Sequence, residues 1–273
     1  MSEDKNIRRT LFNQEVETLK RFSENGQDHI HLIKLLATYQ HGEDYHLIFP
    51  WSDGNLRDFW KTWHSPQMRT HGLARWFARE MLSIAKGLDM IHTGVFESSS
   101  GQGEQVGKDA EHRRGIHGDI TPENILWFRD YEGRDDPNEL GLLKISDFGF
   151  SRFHRKESSK ETKPRGLGYS KTSRAPEMDL EKPISRSYDI WALGCLYLEF
   201  VTWFVRGFKG TEDFMLQRYN SHLDFVREDS FFNVIPIREK AKYGACLKGC
   251  VKAVSSDLLL AFRVPRPVYL KKN

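Results

Sequence analysis

Apolar and polar positions along this chain predict mixed strands and helices first and mainly helices afterwards. Phe12, Val16 and Leu19 follow helical spacing, which predicts an amphipathic helix within residues 12–22. The stretches HLIKLLATY and YHLIFPW predict two strands joined by a turn at HGED, and a short helix should begin at Asn55. A long helix follows, and its apolar face is marked by Leu73, Phe77, Met81, Ile84, Leu88 and Ile91.

A polar segment at 93–115 interrupts this pattern. It is rich in Ser, Gly and charged residues and shows no periodicity, which is typical of a surface insertion. Its GQGEQVGK stretch resembles phosphate-binding glycine motifs but has the wrong spacing, so we interpret it as a flexible loop. The next apolar stretches, NILWF and LLKIS, predict two short strands, and the chain from Asp189 onward reads as helical.

Composition narrows the functional classes. With 273 residues, 38% of them hydrophobic and 12% aromatic, the chain can fold around a sizeable core. A net charge of +3, spread along the chain, argues against nucleic acid or a membrane surface as partner. The most apolar run, at 190–205, is short for a membrane span and contains Glu199, so it predicts a buried helix.

The cysteines and the N-terminus predict a location. Cys195, Cys246 and Cys250 form an odd set with no pairing framework, which favours a reducing compartment. No second pair or histidine completes a zinc site with Cys246 and Cys250, so we expect buried free thiols. The first residues are charged and lack the apolar core of a secretory signal. We therefore expect an intracellular protein, cytoplasmic or nuclear.

Candidate chemistry begins in the stretch IHGDITPENILWF. Asp119 could accept a proton from a hydroxyl group, and Asn124 could offer its amide oxygen to a hard cation. Equally, Asp119 could cap a turn while Asn124 bonds to the backbone. Asp147, followed by Phe148 and Gly149, ends a predicted strand, where a carboxylate can hold Mg²⁺ against phosphates.

Together with SRAPEMD and YDIWALGCLYLEF, these residues make the chain resemble the eukaryotic protein kinase family. HGDITPEN, DFG, APE and DIWALG occur in the family's order within residues 12–205. The resemblance implies an α+β, protein-kinase-like bilobal fold, mostly the helical C-terminal lobe with an incomplete small β lobe. It implies a partial N-terminal lobe at 1–52, with helix C, two strands and the hinge. The C-terminal lobe would be 53–273, with the polar insertion at 93–115 and an activation segment at 147–177.

The resemblance also implies an activity, transfer of the ATP γ-phosphate to a Ser or Thr hydroxyl of a protein, with ATP and Mg²⁺ as cofactors. Asp119 would orient the hydroxyl and accept its proton. Asn124, also catalytic, and Asp147 would hold Mg²⁺ on the ATP phosphates. Ser170 stands where the family has a threonine beside the peptide-docking loop, and Asp189 matches the residue that anchors the catalytic-loop backbone.

Nucleotide contacts are implied further upstream. Glu15 matches the helix glutamate that pairs with the ATP-binding lysine. Phe49 would be the gatekeeper, and the hinge from Pro50 to Ser52 would contact adenine.

The chain departs from the family pattern at several positions. No glycine-rich loop or strand-borne lysine precedes Glu15, and Lys5 has no apolar strand around it, so we expect a truncated N-terminal lobe. Gly118 replaces the arginine that answers a phosphorylated activation segment. Thr121 replaces the lysine near the transferred phosphate, and a hydroxyl cannot supply its charge. No arginine partner for Glu177 can be named.

Two alternatives remain open. The chain could be a catalytically impaired pseudokinase or truncated scaffold that binds partners without catalysis. It could also be a small-molecule phosphotransferase of the aminoglycoside or choline kinase type, but residues 173–195 favour a platform for protein substrates. The expected partners are therefore a protein substrate and ATP, with no nucleic acid and no membrane, and the oligomeric state is open.

Overall fold

The computed structural model describes residues 2–23, 29–63, 70–93, 114–131, 140–149, 151–154, 170–221, 227–237 and 242–261. Within them the chain has an α+β fold of helices and small sheets, as the sequence predicts. The GQGEQVGK stretch and most of the polar insertion at 93–115 lie outside the described residues.

The first part of the chain supplies one helix and one hairpin. Helix α1 (Ser2–Ser23) is longer than predicted, and it buries Val16 and Leu19. Strands β1 (Ala37–His41) and β2 (Asp44–Ile48) pair in antiparallel register around a tight turn. The predicted first strand is therefore wrong over 31–36. Residues 31–33 are buried and lie beside Ile145 instead. Leu32 forms a parallel bridge with Ile145, and the backbones of His31 and Ile33 hydrogen-bond to it.

A three-stranded antiparallel sheet adjoins the loop that carries Asp119 and Asn124. It consists of β3 (Gly54–Asn55), β5 (Ile125–Phe128) and β6 (Leu142–Ile145), in the order β3-β5-β6. Asn55 ends β3 and caps helix α2 (Leu56–Thr62), because its side chain accepts the Asp58 N–H at 3.0 Å. The predicted helix start at Asn55 and the two predicted strands after the insertion are confirmed.

Helix α3 (His71–Thr93) contributes many of the buried side chains of the hydrophobic core. Phe77, Ile84 and Leu88 on its predicted apolar face are buried, whereas Leu82 on the other side is 58% exposed. Aromatic rings pack between α3, α2 and the helix that contains 190–205. Phe59 of α2 lies 4.9 Å from the Trp76 ring, as measured between centroids. This packing fixes the surface from which the site residues extend.

A short helix, α4 (Pro176–Asp179), precedes α5 (Ser187–Asn220), which kinks at Gly207, where φ is 73°. By length and composition alone, α5 is the only helix of the described residues that could cross a membrane. Its most apolar window is 56% buried in the protein, and Leu196 and Phe200 belong to the core. The predicted buried helix at 190–205 is confirmed.

Four further strands were not predicted. Strands β4 (Arg114–Ile116) and β7 (Arg152–His154) pair, and β8 (Phe232–Ile237) and β9 (Lys242–Leu247) form a hairpin before α6 (Gly249–Ala261). The expectation of helices after 189 is therefore wrong at this hairpin. Phe232 and Asn233 are buried there, so burial of the FNVIPI stretch in extended form outweighs any helical preference.

All three cysteines are free. Cys195 is buried, as predicted, but Cys246 and Cys250 are only half-buried. The expectation of burial is wrong for these two because they lie on the hairpin and on the first turn of α6, near the surface.

Candidate functional site

Asp189, near the start of α5, holds the loop that carries Asp119. Its carboxylate accepts the backbone N–H groups of His117 and Gly118, both at 2.8 Å. His92 Nε2 donates to the same carboxylate, also at 2.8 Å. Gly118 has a φ of 88°, which glycine adopts without strain. The predicted anchoring of the loop by Asp189 is confirmed.

His117 fixes the loop from inside. Its Nδ1 accepts the Asp119 N–H at 3.2 Å, so its Nε2 carries the proton and donates to the Ser146 carbonyl at 3.1 Å. Burial lowers the pKa of His117, which favours this neutral form although Asp189 acts in the opposite direction. The Phe148 ring packs edge-on against His117, with centroids 5.1 Å apart. The loop and the DFG stretch are thus joined by one uncharged imidazole.

Asp119 and Asn124 are brought together as the sequence suggested. Asn124 Nδ2 donates to Asp119 Oδ2 at 2.8 Å and to the Asp119 carbonyl at 2.9 Å. Asp119 Oδ1 is buried and has no hydrogen bond to the described residues. Burial raises the pKa of Asp119; His117 and the Asn124 bond lower it, Asp147 raises it, and the Ser170 backbone lowers it slightly. A carboxylate with one held oxygen, one free oxygen and a raised pKa is suited to accept a proton.

Asp147 lies next to this pair. It is exposed and has a φ of 61°, a strained conformation of the kind found at functional sites. Ser146 ties the DFG stretch to the loop, since its N–H and its hydroxyl both donate to the Asn124 carbonyl at 2.9 Å. No group of three His, Cys, Asp or Glu side chains converges among the described residues. Two oxygen-bearing side chains, Asp147 and Asn124, nevertheless fit Mg²⁺, which takes few protein ligands beside substrate phosphates.

Glu15 of α1 faces the same end of the site. A methyl group added to Gly149 would lie 3.2 Å from Asp147 Oδ1 and 3.9 Å from Glu15 Oε2, so the two carboxylates flank this glycine. Burial and the Asp147 charge raise the pKa of Glu15. Within the described part of the chain, no cation pairs with Glu15. Its assignment as partner of a nucleotide-binding lysine stays a prediction.

The predicted hinge connects β2 to β3. Phe49 packs against the core, and Pro50 and Ser52 are half-buried. Trp51 between them is 94% exposed. Contact of Pro50 and Ser52 with adenine stays a prediction, as does a lobe boundary after residue 52.

A network around Thr172 and Arg174 was not predicted. Thr172 donates its hydroxyl proton to Asp229 at 2.8 Å, and Arg174 pairs with Asp179 and with Glu228. These bonds fasten the end of the predicted activation segment, of which 150 and 155–169 lie outside the described residues, to the chain before β8. The bonds to Glu228 and Asp229 span 54 and 57 residues, so no local sequence signal reveals them.

Glu177 accepts the Ser187 hydroxyl at 3.4 Å. The described residues place no arginine against it. The arginine in the preceding motif, Arg174, is committed to Asp179 and Glu228.

A recess opens beside Asp119 and was also missed. Its volume is about 170 Å³. Its walls come from α2, the catalytic loop, the segment 170–173 and α5; they include Arg57, Thr121, Glu123, Ser170, Glu199 and Phe231. Burial lowers the pKa of Arg57, but the carboxylates of Glu199 and Glu123 raise it by more, so the guanidinium stays charged.

Comparison with known proteins identifies this arrangement. The profile of the protein kinase domain matches residues 109–226. Cyclin-dependent kinase-like 4 of Mus musculus is 24% identical over 202 residues, which cover 74% of this chain and 46% of the relative. Homeodomain-interacting protein kinase 1 of Caenorhabditis elegans is 26% identical over 190 residues, 69% of this chain and 18% of the relative.

Cyclin-dependent kinase E-1 of Arabidopsis thaliana is 36% identical over 88 residues, 32% of this chain and 17% of the relative. The aligned regions thus span less than half of these curated relatives. The matched residues include the catalytic loop, the DFG stretch and the helix that carries Asp189. All three relatives are kinases by name. Residues 109–226 therefore match the protein kinase domain, and the chain as a whole is similar to eukaryotic protein kinases.

Proposed function

We propose that the chain transfers the γ-phosphate of Mg-ATP to a Ser or Thr hydroxyl of a protein substrate. The observation that carries the proposal is the state of the Asp119 carboxylate. Asn124 holds Oδ2 at 2.8 Å, while Oδ1 is buried and makes no hydrogen bond to the described residues. A substrate hydroxyl that replaces this missing partner would be oriented by Oδ1 and could pass its proton there.

The surrounding residues support this role through position and charge. Asp189 fixes the loop backbone by its bonds to His117 and Gly118, so the Asp119 side chain extends from a backbone that is held in place. The raised pKa of Asp119, caused mainly by burial, makes the carboxylate a stronger base than an exposed one. Proton acceptance therefore needs no rearrangement of the loop.

Asn124 and Asp147 are the residues that would hold the metal. Asn124 uses its amide nitrogen on Asp119, which leaves its amide oxygen available, and the Asp147 carboxylate is exposed. When bound, Mg-ATP supplies the phosphoryl group and the positive charge that neutralises its oxygens. The protein's own contribution is to place the acceptor hydroxyl and to take its proton.

The test is a transfer assay with labelled Mg-ATP and a mixed protein substrate, followed by identification of the labelled amino acids. We expect phosphoserine or phosphothreonine, with little phosphotyrosine. Asp147→Asn should lower the Mg²⁺-dependent rate by at least about tenfold, because a carboxylate ligand is lost. Asp213→Asn, an exposed helical control, should not change it. Label found only on tyrosine would overturn the proposed specificity.

Two observations favour a second candidate, a binding scaffold without catalysis. Glu15 faces Asp147 with no cation between them among the described residues, and Thr121 supplies no positive charge near Asp119. Calorimetric titration with Mg-ATP separates the candidates. A scaffold of this kind would bind a protein partner and show no heat of nucleotide binding at millimolar ATP.

We also propose an intracellular location, cytoplasmic or nuclear. The three free cysteines support it, since thiols persist in a reducing compartment. Fractionation of cells that express a tagged chain tests this proposal, and recovery of the chain from the medium would contradict it.

A further inference from the structure

The recess beside Asp119 combines an apolar floor with a charged rim. Ile120, Pro122, Leu196 and Phe231 supply apolar surface, while Arg57, Glu123 and Glu199 supply charge. Ser170 also lines the recess, and its backbone lowers the pKa of the nearby Asp119 carboxyl group. A peptide whose hydroxyl reaches Asp119 would therefore place a neighbouring side chain in this recess.

The charges on the rim are already paired within the protein. The Arg57 guanidinium donates to the Glu123 carboxylate, and its other end lies 3.8 Å from Glu199 Oε2. Glu199 Oε1 is held by the fully buried Arg218, whose guanidinium lies between the rings of Phe214 and Phe231. Each glutamate of the rim therefore already has an arginine partner within the protein.

We propose that Arg57 is a specificity-determining residue that occupies the acidic part of this recess, so that the recess selects an uncharged, largely apolar side chain and disfavours Arg or Lys. This inference rests on the proposed phosphotransfer to proteins, because it names the substrate feature that the same site selects. Arg57 acts as a counter-ion supplied by the protein itself.

The physical reason is competition between a tethered and a free cation. A substrate arginine would have to displace Arg57, whose attachment to α2 gives it a high effective concentration at both glutamates. A substrate glutamate would have to displace Glu123 from Arg57 and would face Glu199 as well. An apolar side chain displaces neither, and it can bury surface against Ile120, Leu196 and Phe231.

The experiment measures peptide preference, by fluorescence polarisation without ATP and by phosphotransfer with it. The peptides contain one serine, and each flanking position carries Leu, Arg or Glu in turn. The wild-type chain should prefer Leu at the position that the recess receives. Arg57→Met keeps much of the side-chain length without the charge, and it should raise the preference for Arg over Leu by about tenfold, since the Glu123 carboxylate and the Oε2 atom of Glu199 lose their charged neighbour.

Two further variants test the cause. Adding Glu123→Gln to Arg57→Met should remove most of the gained preference for Arg. Glu123→Gln alone should shift the preference severalfold toward Glu, because Arg57 then lacks its main partner. Lys61→Met is the matched control, since Lys61 lies one turn along α2, is exposed and does not line the recess. It should leave all preferences unchanged.

Each outcome decides the inference. A wild-type chain that prefers Arg, an unchanged ratio in Arg57→Met, or no binding of any peptide would overturn it. If Arg57→Met does not fold, as thermal unfolding would show, the Glu123→Gln shift decides in its place. A changed binding preference without phosphotransfer would refute the proposed function alone. Phosphotransfer with unchanged preferences would refute the role of Arg57 alone.

Discussion

Replacement of Asp189 by asparagine tests how the catalytic loop is held. In the wild-type chain one carboxylate accepts the N–H groups of His117 and Gly118 and a bond from His92, all within a buried region. Asparagine has nearly the same shape but only one acceptor oxygen. At least one buried donor would then face an NH₂ group, at a cost of about 1–3 kcal/mol, and the remaining bonds would lose their ionic character. We expect a total loss of about 3 kcal/mol.

The assay is urea unfolding followed by fluorescence, with the loss read as a lower midpoint at constant slope. Asp89→Asn on α3 is the control, because Asp89 is exposed, and it should change the free energy of unfolding by less than about 0.5 kcal/mol. The phosphotransfer rate should fall in Asp189→Asn even where the chain is fully folded, because Asp119 is two residues beyond His117. A loss equal to that of the control would refute the anchoring argument.

Two other predictions concern stability. Burial lowers the pKa of His31 to about 4, although its bond to the Leu143 carbonyl acts against this, so the folded chain resists protonation. The contribution of neutral His31 to the free energy of unfolding is complete above pH 6.5 and falls by about 3 kcal/mol toward pH 4. Urea unfolding measured across this pH range should show the fall, and His31→Asn should remove it. Leu88→Ala should cost about 3 kcal/mol because Leu88 is buried, whereas the exposed Leu82→Ala on the same helix should cost little; equal costs would contradict the core assignment.

Local spacing explains why part of the site was predictable. Asp119 and Asn124 are five residues apart in one loop, so their contact follows from chain geometry over a single turn. The role of Asp189 came from the resemblance to a family, since its bonds to His117 and Gly118 span more than seventy residues. The apolar face of α3 was predictable because a helix buried on one side has apolar residues at a period of 3.6.

Tertiary pairing explains what was missed. Arg57 reads as an ordinary exposed residue of α2, and its partner Glu123 is 66 residues away. The hairpin of β8 and β9 lacks a clear alternating pattern, and its position depends on the buried Lys248, which donates to the carbonyls of Arg218 and Glu228. The pairing of residues 31–33 with β6 likewise depends on a strand far along the chain.

The central claim is that Asp119 accepts the proton of a protein hydroxyl during phosphotransfer. The most direct measurement is the initial rate of labelled phosphate transfer from Mg-ATP to protein substrate by the wild-type chain and by Asp119→Asn, with ATP affinity measured alongside. The account predicts a rate at least about a hundredfold lower in the variant, with ATP affinity unchanged. Equal rates in the two chains, or no transfer by a wild-type chain that binds Mg-ATP, would contradict it.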